Sequence, residues 1–472
     1  MNDMLLAVLR SEANGITPEA KYLLIRLAEF GLVARGIRAG VKELAARFGV
    51  SDTLAGTALN SLVAAGVLAR RDVVSGQGRP KRHYELDASY AAQVAQHDVT
   101  EVVHEKVIRH LLQHEVKVVD QRSAIATQQD EQRATAPLAH VRASRGQGRV
   151  SVVNRVLLAA LLIRADRFGV VRDLGSAELA RITGLSQVRL KNRVRTLLDD
   201  GLIRAYTPGA TGSVIFKKTK SVYYLNLHHP ELSCGQSLPM LLVSATRVPM
   251  PEDTSDQVDY ILKSVSESEI QRRVGVRKFF EDKHERGLAY FLRSKLDLYA
   301  GDLLSRHWDE FGKGESQLTR LIELDLLGGA VNAEGSRLLV RYLCEQVRNV
   351  AESVRANWFV RKSASVTGID FKGMDYVLLP VRKATNKEFG RAGFYPSRAV
   401  LVLPRNGVVF SEMLYVVVRG SCNRVEVRGF TDLAAVSKEE QCLYSLLTPP
   451  GGELSLDVQG QVLLPQQYGG ER

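Results

Sequence analysis

Two stretches in the N-terminal half decide how the chain reads. They are Glu43-Leu44-Ala45-Ala46-Arg47-Phe48-Gly49-Val50-Ser51 and Glu178-Leu179-Ala180-Arg181-Ile182-Thr183-Gly184-Leu185-Ser186. Each opens a longer block, Glu43 to Leu68 and Glu178 to Ile203, and the two blocks align without a gap. Upstream, Leu23-Leu24-Ile25-Arg26-Leu27-Ala28-Glu29-Phe30-Gly31 is echoed by Leu161-Leu162-Ile163-Arg164-Ala165-Asp166-Arg167-Phe168-Gly169. A local pattern that recurs in register implies two copies of one supersecondary unit.

Each copy carries its own punctuation. Apolar positions at helical spacing give a first helix, and Glu43 or Glu178 then opens a short second one. Gly49 or Gly184 suits the left-handed residue that ends a helix, and Ser51 or Ser186 suits the cap of the next. Gly66 or Gly201 ends that longer third helix. A strand, a polar turn and a second strand follow. In the first copy these are Val67 to Val74, Ser75-Gly76-Gln77-Gly78-Arg79-Pro80 and Lys81 to Leu86. In the second they are Leu202 to Thr207, Pro208-Gly209-Ala210-Thr211-Gly212 and Val214 to Leu225. On these residues each copy resembles the winged helix-turn-helix superfamily of DNA-binding proteins over about 70 to 80 residues. Transcription regulators and plasmid-type replication initiators share that unit, so the resemblance implies DNA binding through the third helix and the hairpin wing.

The chain outside the copies divides by pattern. Val103, Val107, Leu111 and His114 share one face of a helix expected over Thr100 to Glu115, and Gln121 to Arg149 drifts into linker composition. That linker is expected to let the two modules engage neighbouring groove segments, a tethering that multiplies weak affinities. Ser244 to Ser255 reads as another connection. From about Asp256 to Lys362 the spacing is helical, with Tyr260-Ile261, Val265, Leu338-Leu339, Tyr342-Leu343, Val347 and Val350. From about Ile369 β-branched runs dominate: Tyr376 to Val381, Ala399 to Leu403 and Met413 to Val418. The expected fold is mostly α with β wings: two winged-helix domains, then a helical domain and a β-rich C-terminal α+β domain. The expected boundaries are 1–90 and 150–230 for the winged helices, 91–149 for the intervening helix and linker, 256–365 for the helical domain and 366–472 for the β-rich one.

A helical wheel of the second copy's third helix puts Leu190, Val194, Leu197 and Leu198 on the buried stripe. Val188, Arg189, Asn192, Arg195 and Thr196 then face outward, with Lys191 and Arg193 on the flanks and Ser186 at the entry. This is base-reading chemistry: Arg forks onto guanine O6 and N7, Asn onto adenine N6 and N7, and Val touches a thymine methyl. Lys191 and Arg193, with Lys217, Lys218 and Lys220 on the wing, match phosphates, which position a protein without choosing sequence. The first copy differs. Its outward face is Thr53, Leu54, Thr57, Asn60 and Ser61, with no basic residue between Ser51 and Ala65. Its cations sit on the wing, at Arg70, Arg71, Arg79, Lys81, Arg82 and His83. Two readings stand: contact with DNA chiefly through the wing, or a protein-interaction surface.

Several features look chemical and do not assemble into a site. His104, His110 and His114 share one helix, but His110-Leu111-Leu112-Gln113-His114 lacks the Glu of a zinc protease, so no metal is expected. Gly76-Gln77-Gly78 and Gly146-Gln147-Gly148 neither follow a buried strand nor open a helix. Gly312-Lys313-Gly314 is followed by Glu315 where a phosphate loop needs Ser or Thr. Asp370, Asp375, Glu412 and Glu426 suit strand ends, and Phe394-Tyr395 and Met413-Leu414-Tyr415 suit a core. Cys234, Cys344, Cys422 and Cys442 are isolated and read as reduced thiols.

Composition agrees with this picture. The formal charge of +12 over 472 residues points to an anionic partner, and 45% hydrophobic with 25% charged residues is ordinary globular usage. The apolar run Val156 to Ile163 is bracketed by Arg155 and Arg164 and is too short to cross a bilayer. No basic leader with a cleavable apolar stretch stands at the N-terminus, so the expected location is the cytoplasm, nucleoid-associated when bound to DNA. The expectation is therefore a sequence-specific, double-stranded DNA-binding transcription regulator of bacterial type. It needs no catalytic residues, metal or cofactor. Its C-terminal half would serve oligomerisation, contact with RNA polymerase or replication proteins, or effector sensing, and homo-oligomerisation without membrane association is expected. The alternative is a replication initiator of a plasmid or integrated mobile element. A DNA-processing enzyme with groups in the β-rich region is the third reading.

Overall fold

The computed structural model describes residues 3–13, 15–31, 36–73, 81–96, 102–113, 150–172, 174–207, 209, 220–227, 229, 231–232, 240–244, 246–247, 288–327, 334–356, 372, 375–379, 382–383, 398–404, 411–419, 424–430, 455–456 and 462–463. It is mostly helical with small sheets, and the chain forms two compact units. One is drawn from Met1–Arg167 and Ser176–Arg193, the other from Phe168–Gly175 and Val194–Arg472.

The first unit opens with α1 (Asp3–Arg10), α2 (Pro18–Glu29), β1 (Ile37–Arg38), α3 (Val41–Phe48) and α4 (Asp52–Ala64). The strands β2 (Leu68–Val73) and β3 (Lys81–Leu86) and the helices α5 (Ala88–Ala95) and α6 (Glu105–Gln113) follow. Then come α7 (Val152–Leu162), α8 (Ser176–Thr183) and the start of α9 (Gln187–Asp199). Thr17 caps α2, its side chain accepting from Ala20 N, and Pro18 sets the first helical φ. Most of α2 and nearly all of α7 is buried, Lys21, Arg26 and Arg155 included, while Glu19 and Glu29 of α2 reach the surface. The reason is that α2 packs against α1, α4 and α7. The two copies therefore meet directly through their first helices inside one unit, rather than being joined only by the expected linker, whose residues lie outside the described ones.

The turn between the second and third helix is built the same way twice. Gly49 (φ 65°) and Gly184 (φ 71°) are left-handed, and Val50 N and Leu185 N return to Ala45 O and Ala180 O at 3.0 and 3.2 Å. Ser51 Oγ accepts from Leu54 N at 3.2 Å and Ser186 Oγ from Arg189 N at 3.3 Å. In the first copy β1, β3 and β2 make an antiparallel sheet in that order, with Ile37 opposite Tyr84 and Leu68 opposite Leu86.

One expectation is corrected at α6. Its buried residues are Ile108, Leu111 and Leu112, and His104 just ahead of it is buried too, whereas Val103 is 62% exposed and Val107 half-buried. The helix begins only at Glu105, so Val103 precedes it, and Ile108 and Leu112, rather than Val107, turn inward with Leu111. His114 lies outside the described residues.

In the second unit β4 (Val170–Val171), β5 (Ile203–Thr207) and β6 (Val222–Leu225) form a sheet ordered β4-β6-β5, matching strand for strand the sheet of the first copy. Next come β7 (Met240–Ser244), β8 (Thr246–Arg247), α10 (Leu288–Arg306), a short 3₁₀ turn (Phe311–Gly314), α11 (Glu315–Leu327) and α12 (Glu334–Ala356). The remaining strands are β9 (Asp375–Leu378), β10 (Arg382–Lys383), β11 (Arg398–Pro404), β12 (Ser411–Arg419), β13 (Arg424–Phe430), β14 (Ser455–Leu456) and β15 (Val462–Leu463).

The main sheet has the order β13-β12-β11-β7-β9, antiparallel except for the parallel pair β7–β9. Its strand β7 follows the second copy in the chain, and β8, which lies inside the stretch that reads as a connection, pairs with β10. Helix α10 lies on β9: Tyr376 N donates to Ser305 Oγ at 2.8 Å, and Trp308 stacks on Tyr376 with centroids 5.1 Å apart. The helical and β-rich stretches thus share one compact unit. Among the described residues no helix is long and apolar enough to cross a membrane.

Candidate nucleic-acid interface

The third helix of the second copy, α9, divides cleanly into two sides. Leu190, Val194 and Leu197 are buried and Leu198 is half-buried. Val188 is 62% exposed, and Ser186, Arg189, Lys191, Asn192 and Arg195 are exposed as well. Arg193 and Thr196 are half-buried. The helix carries no acid before Asp199, so its exposed side is cationic and amide-bearing, and the positive end of its dipole adds to that field. Lys220 is exposed ahead of β6, while Lys217 and Lys218 lie outside the described residues.

The matching helix of the first copy, α4, buries Ala55, Ala58, Leu59 and Leu62 and exposes Thr53, Thr57 and Asn60. Leu54 and Ser61, expected to face outward fully, are half-buried. On the adjoining hairpin Arg70 and Arg71 are exposed and Arg82 is half-buried. Glu85 draws charge from this edge, pairing with Arg71 at 3.6 Å and lying 3.2 Å from His83. Lys81 is placed by its backbone opposite Val73, and Arg79 lies outside the described residues.

What sequence reading missed is how the first copy grips the base of α9. Glu12, Ala13, Ile16 and Lys21 of the first copy lie against the end of α8 and the turn that follows it in the second. Ala13 N donates to Arg181 O at 2.8 Å, and Arg181 pairs with Glu12 at 2.9 Å. Gly184 approaches so closely that a Cβ there would meet Ile16 O at 2.4 Å. Lys21, 1% exposed, donates through Nζ to Ser11 O at 2.5 Å and to Ile182 O, closing the C-terminal ends of α1 and α8. Burial pulls its pKa down from 10.5 to about 7, and nearby Glu12 opposes that shift. Finally Arg189 Nη2 donates to Glu19 Oε1 at 3.3 Å. A signal for Lys21 existed: it interrupts the apolar run of the first helix where the repeat places Ala159 in the second copy.

The other residues weighed for chemistry are placed as follows among the described residues. His104 Nε2 lies 2.6 Å from Asp166 O, and burial lowers its pKa against the opposing pull of that carbonyl and carboxylate. No group of three His, Cys, Asp or Glu side chains comes together. Lys313 sits in the 3₁₀ turn and pairs with Glu310 at 2.8 Å. Cys344 is a buried thiol whose Sγ lies 3.5 Å from Thr319 Oγ1. Cys234, Cys422, Cys442, Asp370, Phe394 and Tyr395 lie outside the described residues, as do the side chains of Asp375, Glu412, Glu426, Met413, Leu414 and Tyr415. In comparison with known proteins, the chain matches no family model and no curated relative.

Proposed function

We propose that the chain is a sequence-specific, double-stranded DNA-binding protein acting as a transcription regulator through two winged-helix modules. The observation that carries this reading is α9: a helix entered through a glycine turn and a serine cap, buried along Leu190, Val194 and Leu197 and exposing Arg189, Asn192 and Arg195. Such a helix fits the major groove with its N-terminal residues toward the base edges. Arg189 is assigned to guanine and Asn192 to adenine. Ser186, Val188, Arg195 and Thr196 complete the face, and Lys191, Arg193 and Lys220 neutralise phosphate. The first copy adds Thr53, Thr57, Asn60 and the hairpin cations. The C-terminal region would set oligomeric state or touch RNA polymerase, and no cofactor or catalytic step is invoked.

The direct packing of α2 on α7 favours replication initiation as a second reading. Two unequal reading surfaces carried by one chain recognise an asymmetric site without a symmetric dimer, and iterated origin repeats are sites of that kind. Genome-wide mapping of bound sites with parallel transcript measurement separates the two. Promoter-proximal sites with altered transcripts support regulation; iterated sites with local duplex opening support initiation.

Direct contacts are tested by substitution. Arg189→Ala and Asn192→Ala each lose about 1 to 3 kcal/mol on the preferred duplex and relax base preference there. Lys191→Ala instead weakens binding to every duplex and reduces the salt slope by about one. Titrations at several salt concentrations read both effects, and binding unchanged in all three variants would remove α9 from the interface.

A further inference from the structure

Glu19 belongs to the first copy and Arg189 to the second, yet their side chains pair at 3.3 Å. Resting on the assignment of α9 as the reading helix, we propose that Glu19 is a positioning residue that aims the Arg189 guanidinium at guanine. The selectivity of the second copy would then depend on a carboxylate supplied by the first.

The placement of Glu19 is built into the fold. It lies in the first turn of α2, just after the Thr17 cap, and α2 is tied to the turn preceding α9 by buried contacts. Lys21 bonds Ile182 O, Ala13 N bonds Arg181 O, and Ile16 O lies against Gly184. These links hold the carboxylate beside the third residue of α9, at the end that approaches base edges in helix-turn-helix proteins.

The chemistry of the pair suits orientation rather than sequestration. Glu19 takes one donor through Nη2. Guanidinium has five N–H donors in a rigid fork, so a two-pronged edge is left for guanine O6 and N7. The side chains are 47% and 31% exposed, so the pair is open to solvent and weak enough to adjust when DNA arrives. Holding a long side chain in one rotamer beforehand reduces the entropy lost on binding. The same carboxylate opposes a phosphate placed at that point, which penalises complexes in which Arg189 grips only the backbone. Both effects favour the matched sequence over others.

The test uses the full chain and two duplexes: one enriched by the wild-type protein from a randomised library, and a scrambled version of it. Glu19→Gln should weaken the matched duplex and tighten the scrambled one, narrowing their affinity ratio about two- to fivefold. In an Arg189→Ala background Glu19→Gln should leave the ratio unchanged, because there is no guanidinium left to orient. Glu12→Gln removes the same charge from a residue paired with Arg181, and should shift both duplexes together. Thermal unfolding of each variant reports folding independently of DNA. If Glu19→Gln tightens both duplexes equally, or narrows the ratio without Arg189, the carboxylate acts by repulsion alone and the inference is overturned. Should Arg189→Ala match wild type on both duplexes, the failure lies with α9 as the reading helix, and the inference goes with it.

Discussion

Lys21→Ala is expected to destabilise the protein by about 3 to 5 kcal/mol at about pH 9, read as a shift in the urea midpoint. Two losses combine. Removing the butylamine stem leaves a cavity in the packing around α2, where Lys21 is 1% exposed. Removing Nζ leaves Ser11 O and Ile182 O buried without their donor. The pH dependence gives a second, independent signature. The folded-state pKa of about 7 lies below the unfolded value of 10.5, so between them the unfolded chain binds the extra proton. Stability therefore rises with pH across that window, by about 1 kcal/mol per pH unit from this group. Below about pH 7 the lysine is protonated in both states and its slope vanishes. Lys21→Met, which keeps the stem and cannot titrate, should flatten the profile between about pH 7 and 10. A wild-type profile as flat as that of Lys21→Met would contradict the assigned proton balance.

Gly184→Ala is the second large effect, with an expected cost of about 2 to 4 kcal/mol. Part of it is conformational, since φ is +71° and an L side chain is strained there. The larger part is steric. The new Cβ would lie 2.4 Å from Ile16 O and 3.2 Å from the Ala13 side chain, and the first of these is backbone that cannot rotate away. Gly66→Ala is the matched control, because φ is +68° and nothing lies within 4 Å of the added carbon. It should cost about 1 kcal/mol, the conformational part alone. Equal midpoints for the two variants would mean that the contact between residues 13–16 and the second turn is absent in solution. Since that contact also seats α9, the proposed DNA binding through that helix implies that Gly184→Ala weakens affinity for duplex under conditions where Gly66→Ala does not.

Much of the fold was legible because it is local. The glycine that turns left-handed, the serine that caps and the stripe of Leu190, Val194 and Leu197 each follow from chemistry within a few residues. Repetition strengthened that reading, since two copies obeying the same turn rules are hard to obtain by chance. At α6 spacing alone misplaced the stripe, because Val103 lies ahead of the helix and adjacent apolar positions let Ile108 and Leu112, rather than Val107, turn inward with Leu111. The strand β7 was missed for another reason. Met240–Ser244 is short, and its pairing with Arg398 to Val402 spans a sequence separation that periodicity does not report.

The chain by itself determined that two like units exist, which side of each third helix turns inward, and that the second copy's outward side is cationic while the first's carries no basic residue. Tertiary structure decided what those sides are set against. Lys21 on Ile182 O and Glu19 on Arg189 join residues 161 and 170 positions apart. Hydrophobic periodicity selects a buried face without naming its partner, and an exposed ion pair of modest energy leaves no pattern in the sequence. Which carboxylate meets which guanidinium follows only from how α2, α7 and α8 close around their shared core.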